Sequence, residues 1–486
     1  MGSVRIAKSG SMVGLDIGAD MIKVAEAKAG RDGIIVTGLG IAPTPPGGFE
    51  NGGVADPQLI GRVVKDLLAE SGIRSKRVAC SVSGQSAMPS LVIRIISVPN
   101  VSPEELKETM KWEVEKHVPF APSEVVMDFH KIERPGQDIN AQTVDVLLAV
   151  AQQDMVNNQI SAIYASGLKP AAIDIHPLAA SRALIDIGPN GSAPMTVAIL
   201  DIGATVAELS MFEGGILGFP SPPIQIAGTN FTQAIAAALG ITEEEAERLK
   251  KEQVRIDPAQ MAAFGGTSAE MTFAAEGQPP PTVDLGEAAL NLQPGESRDT
   301  VDGPVFDLGN EETPQPERPR YDLSAMPEQD EGPRTYDLGG RHFEALKPVF
   351  DLSEEESEVE AVPTKEPAPA PLPLAAQTGG DIGARIAQAI APVLQDLVGQ
   401  IHLNLDYYHS RYNNQVEQIY LCGGTALMPG LSNYLSNELG VRVTIADPLA
   451  NVTVSSKKYS EQYLKEISPI FSVSLGLAIR DLIIEG

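Results

Sequence analysis

A chain of 486 residues with a formal net charge of −28 is too long for a single hydrophobic core, so two or more folded units are expected. The acidic balance argues against nucleic-acid binding, because no basic stripe with interleaved aromatics offsets it. Two cysteines, Cys80 and Cys422, exclude a disulfide framework and suit a reducing compartment. No signal-peptide core and no apolar run of about 18 residues occurs, so the expected location is the cytosol, with a membrane reached only through a partner.

In chain order, Val13–Ile17 reads as a strand entering a glycine turn, and Met21–Ala27 as its hairpin partner. Gln58–Ser71 carries helical periodicity and stops at Gly72. After a strand at Leu91–Val98, Ser102, Pro103 and Glu105 supply an N-cap, a first-position proline and a capping-box glutamate, which predicts a helix from Pro103 to His117, stopped by Pro119. Strands at Val125–Ile132 and Thr143–Ala151 complete a β-α-β-β unit of about 60 residues. A second strand–turn–strand spans Thr196–Phe212 around Asp201-Ile202-Gly203. Thr229 or Asn230 can cap a helix through Leu239, and Thr242 with Glu245 can cap the next. Further on, Leu394, Leu397, Val398, Ile401, Leu405 and Tyr408 share one face of a long core helix. The alternation of strands and helices argues an α/β fold.

Between Val254 and Gly380 the chain is rich in Pro, Glu, Ala and Gly and lacks apolar periodicity, so it is expected to be a disordered insertion. Residues 271–380 hold 23 acids against 7 bases, −16 of the total charge. A short pattern recurs there: an apolar or aromatic residue, then Asp-Leu-Gly or Asp-Leu-Ser. It starts at Val283, Phe306, Tyr321, Tyr336 and Phe350. Linear binding motifs acting by avidity are one reading; duplication drift in a tolerant linker is the other.

Three turns carry the chemistry. Asp16-Ile17-Gly18 and Asp201-Ile202-Gly203 each open one half of the chain. A glycine there lets backbone N–H groups approach a phosphate, and the aspartate can hold hydrated Mg²⁺. Cys422-Gly423-Gly424-Thr425 follows a strand at Gln418–Leu421 and precedes a helix, leaving room for a flat ring against the backbone near a helix N-terminus. Each turn alone is weak, since tight hairpins often use Asp and Gly; their order along the chain is specific.

That order resembles the actin-like ATPase superfamily: first phosphate loop, second phosphate loop, adenosine loop. The resemblance implies a two-lobed ribonuclease-H-like fold with ATP and Mg²⁺ in the cleft, the metal held through water by Asp16 and Asp201. It extends nucleotide contacts to Gly18, Lys23, Gly203, Thr205, Gly228, Thr229, Glu247, Lys250, Gly423, Gly424 and Thr425, and it makes Ser472–Ala478 the closing helix.

The segment TMKWEVEKHVPFAPSEVVMDFH at 109–130, with ISVPNVSPEEL and ADPLANV elsewhere, resembles the PilM family of type IV pilus assembly proteins. The small β-α-β-β unit is then the 1C-type subdomain shared with FtsA. Its neighbouring groove, with Trp112, Val125 and Met127, would take the N-terminal cytoplasmic peptide of a PilN-like inner-membrane protein. The division expected is 11–86 with 154–193 for the first lobe core, 87–153 for the inserted subdomain, 194–228 with 420–486 for the second lobe core, 229–253 with 381–419 for a helical subdomain, and 254–380 for the insertion. Pilus-platform and motor proteins are further partners the resemblance implies, and a homo-oligomer is left open.

Several positions depart from the superfamily. Ala19 and Asp20 follow Gly18 where a hydroxyl is usual, Val206-Ala207 replaces a threonine pair, and His176 stands where relatives carry a glutamate or glutamine that orients water. Hydrolysis should therefore be feeble, since phosphoryl transfer depends on positioning and charge stabilisation. His176 reads either as a catalytic base or as a structural histidine before a proline. Trp112 is either a binding hot spot or a half-buried helix residue. Cys422 reads as core, and the histidines lack metal-ligand spacing. The main reading is a nucleotide-responsive scaffold; the alternatives are a slow ATPase or sugar-kinase-like phosphotransferase, and a filament-forming FtsA-like protein. The C-terminus FSVSLGLAIRDLIIEG is too short and acidic for a basic amphipathic membrane tether.

Overall fold

Both halves of the chain start from the same hairpin. In a computed structural model of the protein, residues 5–6, 10–31, 33–83, 90–118, 120–134, 141–187, 195–258, 261, 335–337, 342–344, 379–455 and 459–484 are described. Met12–Ile17 pairs antiparallel with Met21–Ala29, which pairs with Ile34–Pro43. Arg77–Val82 and Lys169–Ile175 then add in parallel on the other side of Met12–Ile17. The second half repeats the plan: Thr196–Ile202, Ala207–Glu213 and Ile216–Pro220 form a meander, with Gln418–Cys422 and Arg442–Ile445 added in parallel. Parallel additions need long crossovers, supplied in the first half by the Pro57–Glu70 helix and in the second by Gly228–Leu239 and Gly379–Tyr412.

The apolar stripe of the Gly379–Tyr412 helix, including Leu394, Leu397, Ile401 and Tyr408, is buried in the second core, as its periodicity predicts. His176–Ser181 forms the connecting helix, and Ser472–Ala478 the closing helix. These meet almost backbone to backbone. A Cβ on Gly476 would lie 1.6 Å from the Ala179 carbonyl oxygen, and one on Gly14 would lie 1.8 Å from that of Ser474. Buried Asp174 pins the joint, taking Arg182 at 2.6 Å and Arg480 at 3.4 Å.

The inserted subdomain is a three-stranded sheet in the order Leu91–Pro99, Thr143–Gln152, Val125–Lys131. Its helix runs Pro103–His117 with the capping box formed as expected; Pro119, the expected stop, lies outside the described residues. Leu106, Met110 and Val114 on that helix pack on one face of the sheet. Ile93, Ile95, Val126 and Ala149, on the other face, pack against the first core.

Two local expectations need correcting. Neither Thr229 nor Asn230 is an N-cap: the helix starts at Gly228, and Asn230 reaches back from its first turn to accept from the Ala227 N–H at 2.8 Å. The stretch expected to lack a core also begins inside one. Val254, Ile256 and Met261 are buried in the second core, because Ile256 N–H donates to the Pro429 carbonyl and Gly430, at φ +90°, fits closely against the Ile256 carbonyl. Farther along, Thr335–Asp337 pairs with His342–Glu344 and joins the free edge of Lys169–Ile175. The motif copies at Val283, Phe306, Tyr321 and Phe350 lie outside the described residues.

Candidate functional site

The two Asp-Ile-Gly turns close identically. Gly18 N–H donates to the Met21 carbonyl and Gly203 N–H to that of Val206, each at 3.0 Å. Hairpin register then sets what faces each aspartate. Asp16 is paired with Lys23 and Asp201 with Glu208, the same seven-residue offset in both halves. Lys23 Nζ donates to Asp16 Oδ2 at 2.8 Å. Burial alone would lower the Lys23 pKa, but Asp16 outweighs it and the ammonium is held.

Asp16 is 3% exposed, and its Oδ1 accepts no hydrogen bond among the described residues. His176 lies beside that oxygen, with Nε2 at 3.7 Å, while Nδ1 meets Glu208 Oε2 at 3.1 Å. Desolvation would lower the His176 pKa, yet Glu208, Asp16 and Asp201 together push it up to about 9. Burial, with Glu208 and Asp16 adding to it against His176 and Lys23, lifts Asp201 to about 6. His176, Asp201, Glu208 and Ser210 line one small pocket. Glu208 is the residue that sequence reading missed.

The second turn is braced from three sides. Gly228 N–H donates to the Gly203 carbonyl, and Thr229 donates to the Ala204 carbonyl through both N–H and Oγ1. Thr425 Oγ1 donates to the Gly203 carbonyl at 2.8 Å. Thr205 is exposed at the tip, while Val206 and Ala207 are core. Gly228, Thr229 and Thr425 thus shape the loop. Glu247 is held by Lys250 at 2.6 Å, Lys251 at 3.1 Å and the Thr232 hydroxyl. Lys250 Nζ also donates to the Gly228 carbonyl at 2.9 Å.

At the third turn Gly423, at φ +86°, leaves no room for a side chain, since a Cβ would lie 2.3 Å from Asp201 Oδ1. Gly424 is exposed, with nothing within 4 Å of a Cβ built on it. Cys422 is buried; burial, with Asp201 nearby, raises its thiol pKa well above the ordinary value, which suits core and not nucleophile. Among the described residues no group of three or more His, Cys, Asp or Glu is arranged to hold a metal ion.

The three residues expected at a partner groove do not share a face. Trp112 is 68% exposed on the outer side of its helix. Val125 and Met127 pack beneath that helix, whereas Val126 is turned towards the first core. The outer edge of the Val125–Lys131 strand pairs with no other strand among the described residues.

The profile of the type IV pilus assembly protein PilM family matches residues 14–257 and 377–482. The chain belongs to the PilM family. Within the PilM-type match lie the three turns, both crossing helices and the inserted subdomain. A chain from a solved PilM–PilN type IV pilus biogenesis complex is 23% identical, with a TM-score of 0.64 over 97% of this chain and 98% of that one. The likeness shows that the fold is the actin-like, two-lobed one. The cell division protein FtsA of Bacillus subtilis is 22% identical over 257 residues, which is 49% of this chain and 57% of that protein. No helix among the described residues is long and apolar enough to cross a membrane.

Proposed function

We propose that the chain is a nucleotide-binding scaffold of the type IV pilus inner-membrane assembly platform, lying on the cytosolic side and holding the N-terminal peptide of a PilN-like membrane protein. The observation that carries the nucleotide half is the buried, unbonded Asp16 Oδ1 in the cleft between two like turns. A buried carboxylate oxygen that accepts no hydrogen bond is costly; His176 Nε2, at 3.7 Å, is beyond hydrogen-bond reach, and water on a hydrated cation would supply the donor. Mg²⁺ would be held through water by Asp16 and Asp201 and would neutralise phosphate charge there. Gly18, Gly203 and Thr205 present the phosphate turns, Lys23 supplies a cation, and the open surface over Gly424 admits the base. Glu247 and Lys250 border the helix entering the site from the other side.

The peptide half rests on the family and on the unpaired edge of Val125–Lys131, which suits strand addition. Trp112, on the outer side of the neighbouring helix, offers an aromatic anchor. Pilus-platform and motor proteins are the further partners. The domain division given from the sequence is carried into this reading, with the second core extended to Met261.

Titration of a synthetic PilN N-terminal peptide into the purified chain, with and without ATP–Mg²⁺, tests it. Binding at micromolar concentration is expected. Asp16→Ala and Asp201→Ala should each weaken ATP–Mg²⁺ by about 1 kcal/mol or more and leave a folded protein. No peptide binding removes the pilus role; unchanged nucleotide affinity in both variants removes the nucleotide site.

A further inference from the structure

The two hairpins share their register and turn closure but differ in the charge of the side chain seven residues after each aspartate. The first presents Lys23, which neutralises its own Asp16. The second presents an acid, Glu208, in register with Asp201. The cation that meets Glu208 comes from neither hairpin. It is His176, at the start of the connecting helix, directly after the first sheet's Lys169–Ile175 strand. Its Nδ1 lies 3.1 Å from Glu208 Oε2 and its Nε2 lies 3.7 Å from Asp16 Oδ1. A line of polar side chains, Lys23–Asp16–His176–Glu208, therefore runs from one lobe to the other, hydrogen-bonded at its two ends and joined between Asp16 and His176 by a longer ion pair. The four side chains are 17%, 4%, 13% and 16% exposed, so water competes poorly for these contacts. A neutral imidazole with its proton on Nδ1 can still donate to Glu208, less strongly than an imidazolium does.

We infer that His176 and Glu208 form a strut that holds the two lobes together from inside the cleft. Two-lobed proteins usually close when a ligand bridges both halves. Here the chain's own side chains make the bridge, so the scaffold keeps its closed shape by itself. The further consequence, that a bound nucleotide adds little to closure, rests on the nucleotide reading above. Glu208 is on this account a positioning residue acting through His176.

Hydrogen exchange on the full-length chain, read by mass spectrometry over His176–Ala180 and Gly203–Ala207, tests the strut. Glu208→Ala should speed exchange in both segments by about fivefold or more, the lower end of ordinary coupling between sites. Glu208→Gln, whose side-chain oxygen can still accept from Nδ1–H, should restore the protection. The Pro103–His117 helix of the inserted subdomain should not change. Unaltered exchange in Glu208→Ala, or an equal rise in that helix, overturns the strut. ATP–Mg²⁺ should return Glu208→Ala to the original rates while barely affecting the unmodified chain. If Glu208→Ala loosens the cleft but ATP–Mg²⁺ changes neither protein, the strut stands and the nucleotide reading falls.

Discussion

His176 and Asp201 determine how the cleft responds to pH. The His176 pKa stands at about 9 in the fold against 6.5 for the free group. Between these values the folded chain binds more protons than the unfolded one, so stability falls as pH rises. The contribution is whole below about pH 6.5, is lost through about pH 9, and is on the order of 3 kcal/mol. Asp201, at about 6 against 3.8, acts in the same direction lower down. Melting temperature should therefore drop from pH 6.5 to 9, and His176→Gln should flatten that slope. An unchanged slope would mean that Glu208 and Asp16 do not hold the ring charged. At this scale the sequence was half legible. Lys23 shows itself by its spacing from Asp16, and the same spacing from Asp201 points to Glu208. Glu208 is missed because it sits in a largely apolar strand, where a charge reads as an outward-facing residue.

One helix of the inserted subdomain carries both a core residue and the proposed peptide anchor. Met110 is fully buried under it and Trp112 stands in solvent. Met110→Ala should cost about 2–5 kcal/mol by cavity formation and unfold the subdomain first. Trp112→Ala should leave the melting temperature in place and weaken peptide binding. Circular dichroism melts beside the peptide titration separate the two, and a large stability loss in Trp112→Ala would show that its ring is packed. The ends of this helix were legible because the capping box at Ser102 and Glu105 is local chemistry. The sheet face was not. Strand side chains alternate, so a one-residue choice between Val125 and Val126 exchanges the helix side for the lobe side, and only the packed structure decides it.

For the whole molecule, the two-lobed plan was legible from the repeated Asp-Ile-Gly hairpin, whereas the start of the insertion was not. Composition changes near Val254, but burial continues to Met261, because Ile256 docks on the Pro429–Gly430 backbone through a contact distant in sequence. Met261→Ala should thus destabilise the second lobe by about 2–5 kcal/mol. A deletion of residues 267–333 should leave the melting temperature unchanged, and the reverse pattern would place the boundary wrongly.

The near contact of Gly476 with Ala179, and of Gly14 with Ser474, has a mechanical meaning. With no side chain between them, the backbones of the closing helix, the connecting helix and the Met12–Ile17 strand meet directly, so a side chain added at either glycine must push these elements apart. Gly476→Ala should accordingly cost about 1–3 kcal/mol by overpacking, and an unchanged melting temperature would show that the two helices have room to part.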